Sequence, residues 1–242
     1  MLRSAAPIVK GLTLTSTRRF SVISVADSAA GGSTTGDVGT YPPFLPDEDD
    51  PAMYLKVVET LRAARARFSH LGPHKPTLTS DESAATRRAA GGEWANTTLA
   101  SGAKAMLVLN AKSDEVPACL VVLAADRKLD FKKLRSQLPK GKSAKLATAD
   151  EVLAISGCLP GAVPPFGSLF AAPGGGGPVR TMVDASLRAQ GEFINFNCGL
   201  RTRSVRMAFE DYAQVEQPVM CEVTEWIVFR IQTMHLRGRR TR

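Results

Sequence analysis

GAKAMLVLNAKSDEVPACLVVLA, residues 102–124, is the stretch whose reading decides the fold. It holds two apolar runs of strand length, Ala103–Leu109 and Ala118–Ala124, separated by the polar segment 110–115. So short a polar connection between two strands predicts an antiparallel hairpin. Downstream, Phe131, Leu134 and Leu138 return to helical spacing, with lysines on the other face. A short extended segment is expected at 145–147, and Thr148 with Glu151 then forms a capping box that opens a helix through Val152 and Ile155. Gly157 is placed to end that helix in the left-handed conformation. Upstream, Thr79 and Glu82 make a second capping box, and Met53, Val57, Leu61, Ala64 and Phe68 mark an amphipathic helix. Beyond 178, residues 179–183, 192–198 and 204–209 read as strands, and 221–231 alternates as one more. Strands and helices mix without βαβ alternation and without an internal repeat. The expected class is therefore α+β, a single domain with a central mixed β-sheet flanked by helices.

Composition agrees with a globular body. Of 242 residues, 44% are apolar, 22% charged and 6% aromatic, which excludes collagen-like, coiled-coil and wholly disordered chains. No apolar run approaches the ~20 residues of a spanning helix, so no membrane partner is expected. The four cysteines are scattered and form no CxxC pair, and no cofactor or metal set is expected. The net charge of +8 comes from the two ends. Arg3, Lys10, Arg18 and Arg19 lie in an acid-free stretch before residue 23, and Arg237, Arg239, Arg240 and Arg242 close the chain. Residues 1–22 have the composition of a mitochondrial transit segment, with a cytoplasmic location as the alternative. Residues 27–50, rich in Gly, Ser, Thr and Pro, read as a disordered linker. The organisation expected is thus a basic segment and linker over 1–50, a folded body over 51–232 and a basic tail over 233–242. Within the body, residues 126–145 carry eight basic against two acidic residues. That is either a surface for a polyanion or a solvated helix face.

A conventional catalytic kit is missing: there are three histidines, no GxSxG elbow and no HExxH. The glycine-bearing stretches 90–97 and 172–178 read as loop insertions, because neither joins a strand to a helix at phosphate-binding spacing. Lys104 sits inside an apolar strand, where a cation either faces solvent at an edge or faces a groove or an anionic partner. GCLPGAVPPFG, 157–167, is punctuated densely enough to be rigid, and it could aim several backbone amides at one place.

Seven short motifs now carry a resemblance: PTLTSDE (76–82), GAKAMLVL (102–109), LDFKKL (129–134), LATADEV (146–152), PGAVPPFG (160–167), VDASL (183–187) and FNCGLRTRS (196–204). Their order over about two thirds of the chain resembles the YbaK family of free-standing aminoacyl-tRNA deacylases, related to the editing insertion of bacterial prolyl-tRNA synthetase. The resemblance implies hydrolysis of the ester joining a wrong amino acid, cysteine, alanine or another small residue, to a prolyl-tRNA. Lys104, Gly161 and Ala162 then fall on catalytic positions. Thr79, Pro164, Pro165, Phe166, Gly167, Asp184, Asn197, Gly199 and Ser204 fall on substrate-binding ones. By their charge, Lys132, Lys133, Arg135, Arg201 and Arg203 are the candidate contacts to tRNA phosphates. The implied partners are aminoacyl-tRNA and a synthetase, prolyl-tRNA synthetase in particular. The substrate's own ribose hydroxyl is thought to assist in this family, which fits the missing histidine base. The alanine-specific branch has histidine after the Asn-Phe pair, where this chain has Asn197. The rival classes are a non-catalytic tRNA- or synthetase-binding module of the same fold and a thiol-dependent redox protein.

Overall fold

The structure, a computed structural model, describes Phe44 and residues 49–226. The transit-like segment, most of the linker, residues 227–231 of the last expected strand and the basic tail lie outside the described residues. In chain order the elements are α1 (Ala52–Ala63), β1 (Phe68–Leu71), α2 (Ser80–Ala89), β2 (Ala103–Leu109), β3 (Ala118–Ala124) and β4 (Arg127–Leu129). They continue with α3 (Phe131–Gln137), β5 (Lys145–Leu146), α4 (Ala149–Ser156), β6 (Arg180–Asp184), α5 (Ala185–Arg188) and β7 (Phe193–Asn197). The last are β8 (Ser204–Ala208), α6 (Phe209–Glu216), β9 (Val219–Cys221) and β10 (Thr224–Trp226).

The hairpin forms with Ala103 opposite Ala124 and Leu109 opposite Ala118. It is the middle of a five-stranded mixed sheet, β5-β2-β3-β6-β9, in which β6 runs parallel to both β3 and β9. Beside it stand an antiparallel sheet, β1-β8-β7, and a small pair, β10-β4. The fold is therefore the expected α+β domain with a central mixed sheet. β3 is apolar throughout because both of its faces are covered. Leu120 and Val122 enter the larger core with Tyr54, Leu61, Phe166 and Phe196, whereas Val121 and Leu123 enter a smaller one with Leu134 and Met182.

Both capping boxes close as expected, Thr79 with Glu82 and Thr148 with Glu151, and Gly157 ends α4 at φ 67°. Three boundaries differ from the sequence reading. The first helix stops at Ala63 because Arg65 adopts φ 56°, and Phe68 starts a strand paired with β8. The strand expected at 204–209 ends at Ala208, and Phe209 opens α6. The strand expected from 221 is divided into β9 and β10, and the carboxylate of Asp184 holds the corner by accepting from Val223 N (2.6 Å) and Thr224 Oγ1 (3.0 Å). Among the described residues, no helix is long and apolar enough to cross a membrane.

Candidate active site

A cleft of about 90 Å³ opens between the start of α2, the first residues of β2, the 160–167 loop and β7. Its lining includes Thr79, Arg87, Lys104, Gly161, Val163, Asn195 and Asn197, and, among the described residues, no histidine, cysteine or carboxylate. The cleft thus brings two cations together with neutral polar groups and offers no protein base.

The loop owes its shape to donors that converge on its carbonyls. Arg201 grips Pro160 O with Nε (3.0 Å) and Nη2 (2.8 Å), and Asn197 Nδ2 donates to Gly161 O (2.9 Å). Gly199 N donates to Ala162 O (2.9 Å) and Tyr212 Oη to Pro165 O (2.8 Å). Phe166 is fully buried, packed edge-on against Phe196 and Tyr212. At Gly167 an added Cβ would come within 2.6 Å of Val179 O, so no side chain fits. Gly161 has φ +88°, a conformation that strains any L side chain. Beneath the loop, Glu216 accepts from Ser168 N (3.1 Å) and from Thr181 Oγ1, and burial pushes its carboxyl above the usual range.

Not every amide of this loop faces the cleft, contrary to the expectation from its punctuation. Ala162 N–H is spent on Leu159 O (3.0 Å) and Gly167 N–H on Thr181 Oγ1 (3.0 Å), and Ala162 is buried. The N–H groups of Gly161 and Val163 have no partner among the described residues, and both residues line the cleft. Ala162 is therefore corrected from a site donor to a strut, and Val163 is a site residue that sequence reading missed.

Lys104 lines the cleft with its ammonium donating to Arg127 O (2.6 Å) and Ala125 O (3.5 Å). Burial lowers its pKa from the ordinary lysine value, and Asp126 opposes that shift. The groove-facing alternative is the one the structure adopts. Arg87 was missed in the sequence. It is 3% exposed, with Nε donating to Ser204 Oγ (3.0 Å) and Nη2 to Asn197 Oδ1 (2.8 Å). Burial without a neighbouring carboxylate pulls its guanidinium down to about 9, still charged at neutral pH. Asn197 is thereby fully used: it accepts from Arg87 and donates to Gly161 O and Thr77 Oγ1 (3.2 Å). Arg87 acts on Gly161 through that amide.

The remaining sequence-derived candidates divide. Thr79, Gly161, Lys104 and Asn197 share the cleft. Ser204 stands behind it, bonded to Arg87 and to His74 Nε2 (3.1 Å). Pro164, Pro165, Phe166 and Gly167 support the loop without lining the cleft, and Gly199 packs against the start of α1, where an added Cβ would lie 2.6 Å from Tyr54 N. Asp184 belongs to the corner of β9 and β10, not to this site. Lys132 is exposed on α3. Lys133 donates to Thr224 O (2.8 Å), and Arg135 donates to Ala144 O with Nη2 (3.0 Å) and lies over the Phe131 ring. Arg203 is 1% exposed, with its guanidinium over the rings of Phe44 and Tyr54, so it is a core residue and not a phosphate contact.

All four cysteines are buried and unbridged. Burial pushes Cys119 and Cys221 up to about 12, Cys158 up to about 11, and Cys198 higher still. A thiol held protonated is neither nucleophile nor redox centre at neutral pH. Cys158→Ala, Cys198→Ala and Cys221→Ala are expected to keep full turnover per folded molecule in an ester-hydrolysis assay, and a folded variant without turnover would reinstate a thiol mechanism.

Residues 74–215 match the aminoacyl-tRNA editing domain family. The multifunctional Ser/Thr-tRNA deacylase ProXp-y of Escherichia coli K12 is 35% identical over 127 residues, which cover 52% of this chain and 71% of that protein. The crystal structure of the hypothetical protein APE2540 superposes with TM-score 0.56 at 24% identity, over 70% of this chain and 99% of that one. A proposed trans-editing enzyme for prolyl tRNA synthetase superposes with TM-score 0.54 at 17% identity, over 72% of this chain and 97% of that one. At these identities the two solved structures speak to the fold.

Proposed function

We propose a specific reaction for this chain, which belongs to the aminoacyl-tRNA editing domain family and is an aminoacyl-tRNA deacylase: acting in trans, it hydrolyses the ester of a tRNA carrying a wrong, small amino acid. Water adds to the ester carbonyl, the bond to the 3′ oxygen of the terminal ribose breaks, and that oxygen takes a proton. The products are a free amino acid and an uncharged tRNA. The observation that carries this reading is the pair of unspent N–H groups on Gly161 and Val163, in a loop whose carbonyls are locked from behind. Fixed amides are worth most where negative charge develops, because they need no reorganisation during the reaction. With no protein base in the lining, proton transfer falls to water and to the substrate's vicinal ribose hydroxyl. Lys104 stabilises the carbonyl oxygen as it gains charge, while Arg87 holds Asn197 and through it the loop.

The body of the tRNA would be held by phosphate contacts, for which Lys132 and Lys133 on α3 are the candidates. Replacing both by Ala is expected to raise KM by a similar factor for every accepted substrate. It should also flatten the dependence of log affinity on log salt by about 0.7 to 0.9 per lost contact. A change in which amino acid is removed, or an unaltered salt slope, would place the docking surface elsewhere. Arg135, committed to Ala144 O, is expected to cost stability when replaced.

A further inference from the structure

Tyr212 and Glu216 stand one turn apart on α6, so they share a face, and both are buried. Neither lines the cleft. Tyr212 Oη donates to Pro165 O (2.8 Å), and its ring packs edge-on against Phe166. Glu216 collects the donors that follow: Oε1 accepts from Ser168 N (3.1 Å) and Thr181 Oγ1, and Oε2 accepts from Ser168 Oγ (2.5 Å). Thr181 Oγ1 accepts in turn from Gly167 N (3.0 Å), so the carboxyl group reaches Gly167 as well. One face of α6 therefore holds the chain at Pro165, Gly167 and Ser168.

The first half of the loop is held from elsewhere, by Arg201 on Pro160 O, Asn197 on Gly161 O and Gly199 N on Ala162 O. Val163 lies between the two sets of anchors with its N–H unspent. Pro164 and Pro165 follow it, and each ring locks φ at about −65°. That removes two of the soft torsions through which Val163 could move independently of the anchors on α6. We propose that Tyr212 and Glu216 are positioning residues of the reaction, which aim the Val163 N–H at the developing oxyanion by fixing residues 165–168. The proposal rests on the deacylase reading above. It gives Glu216 no proton to transfer to the substrate and requires no charge on it. Burial favours the neutral carboxyl, and an amide of the same shape can accept on its oxygen and donate from its nitrogen to Ser168 Oγ.

The proposal is tested by measuring kcat and KM, per folded molecule, for the full-length wild type, Tyr212→Phe, Glu216→Gln and Glu216→Leu. The substrate is whichever of the Ser, Cys and Ala esters of tRNA(Pro) the wild type removes fastest. Tyr212→Phe keeps the ring against Phe166 and loses only the hydroxyl. It is expected to lower kcat roughly 10- to 100-fold with KM close to wild type, because a displaced donor is missed in the transition state and not in the ground state. Glu216→Leu should behave in the same way, whereas Glu216→Gln should keep the wild-type kcat. Should Glu216→Leu fail to fold, Tyr212→Phe and Glu216→Gln carry the test. Three results overturn the assignment: a wild-type kcat in Tyr212→Phe, a raised KM at unchanged kcat, or a kcat in Glu216→Gln that falls as far as expected for Glu216→Leu. The last would mean that the reaction uses the charge or the proton of Glu216 and not its shape. A wild type that removes none of the three esters would instead defeat the deacylase reading itself, and this assignment with it.

Discussion

Lys104→Ala is expected to lower kcat/KM for ester hydrolysis by about 10²- to 10³-fold, the usual cost of removing one group that stabilises developing charge. The fold should persist. The ammonium is spent on the carbonyls of Ala125 and Arg127, and Lys104 belongs to neither hydrophobic core. A lysine retained for structure alone would behave differently: the variant would melt earlier and keep its activity per folded molecule. The pH dependence offers a second readout. Burial lowers the lysine's pKa, so the charged form that the reaction uses is lost as pH rises through a value below the ordinary 10.5. An alkaline limb in the pH profile of kcat that is absent from Lys104→Met follows from that sign. For stability the sign is opposite. Between the folded pKa and 10.5 the unfolded chain binds more protons, so this group's burden on the fold is present at neutral pH and relieved as pH rises through that window.

Arg87→Leu is the substitution with the largest expected effect on stability. It strips two charge-assisted hydrogen bonds and leaves Asn197 Oδ1 without its principal donor, at a cost of about 3 to 5 kcal/mol. For a domain of this size, that lowers Tm by roughly 6 to 20 °C. Arg87→Lys separates positioning from mere structure, since it keeps the charge but cannot fork between Ser204 and Asn197. If Arg87 acts by holding Asn197, and through it Gly161 O, then kcat should fall in Arg87→Lys while KM stays close to wild type. A raised KM with unchanged kcat would mean that the guanidinium binds substrate directly, and unchanged kinetics would make it a packing residue only.

Much of this arrangement was legible in the sequence where a local rule acts alone. Two capping boxes, a left-handed glycine after α4 and two apolar runs with a short polar connection each fixed an element within a residue or so. Boundaries failed where tertiary partners decide. Phe68 continues the helical period of α1, yet Arg65 turns the chain so that it pairs with β8. In α6, Phe209, Tyr212 and Glu216 are the buried positions, and the glutamate among them hides the apolar period because its burial depends on Ser168 and Thr181, far away in sequence. The site divides in the same way. Lys104 was conspicuous as a cation in an apolar strand. Arg87 sits beside Arg88 in a polar helix, and only its spacing from Ser83 and Ala84, the other buried residues of α2, would have set it apart. Arg203 had the charge of a phosphate contact, but the aromatic rings that cover it come from elsewhere in the chain. Ala162 shows the converse: the loop's rigidity was legible, and which of its amides remained unspent was not.

The central claim is hydrolysis by this chain alone, and one time course tests it most directly. Full-length protein is mixed, without any synthetase, with tRNA(Pro) carrying Ser, Cys or Ala and, separately, with correctly charged Pro-tRNA(Pro), and the surviving ester is followed. The account predicts rapid loss of at least one mischarged ester while Pro-tRNA(Pro) decays at its spontaneous rate, with Lys104→Ala about 10²- to 10³-fold slower on every ester that the wild type removes. Binding of these tRNAs without loss of any ester, or loss that Lys104→Ala leaves intact, would contradict it.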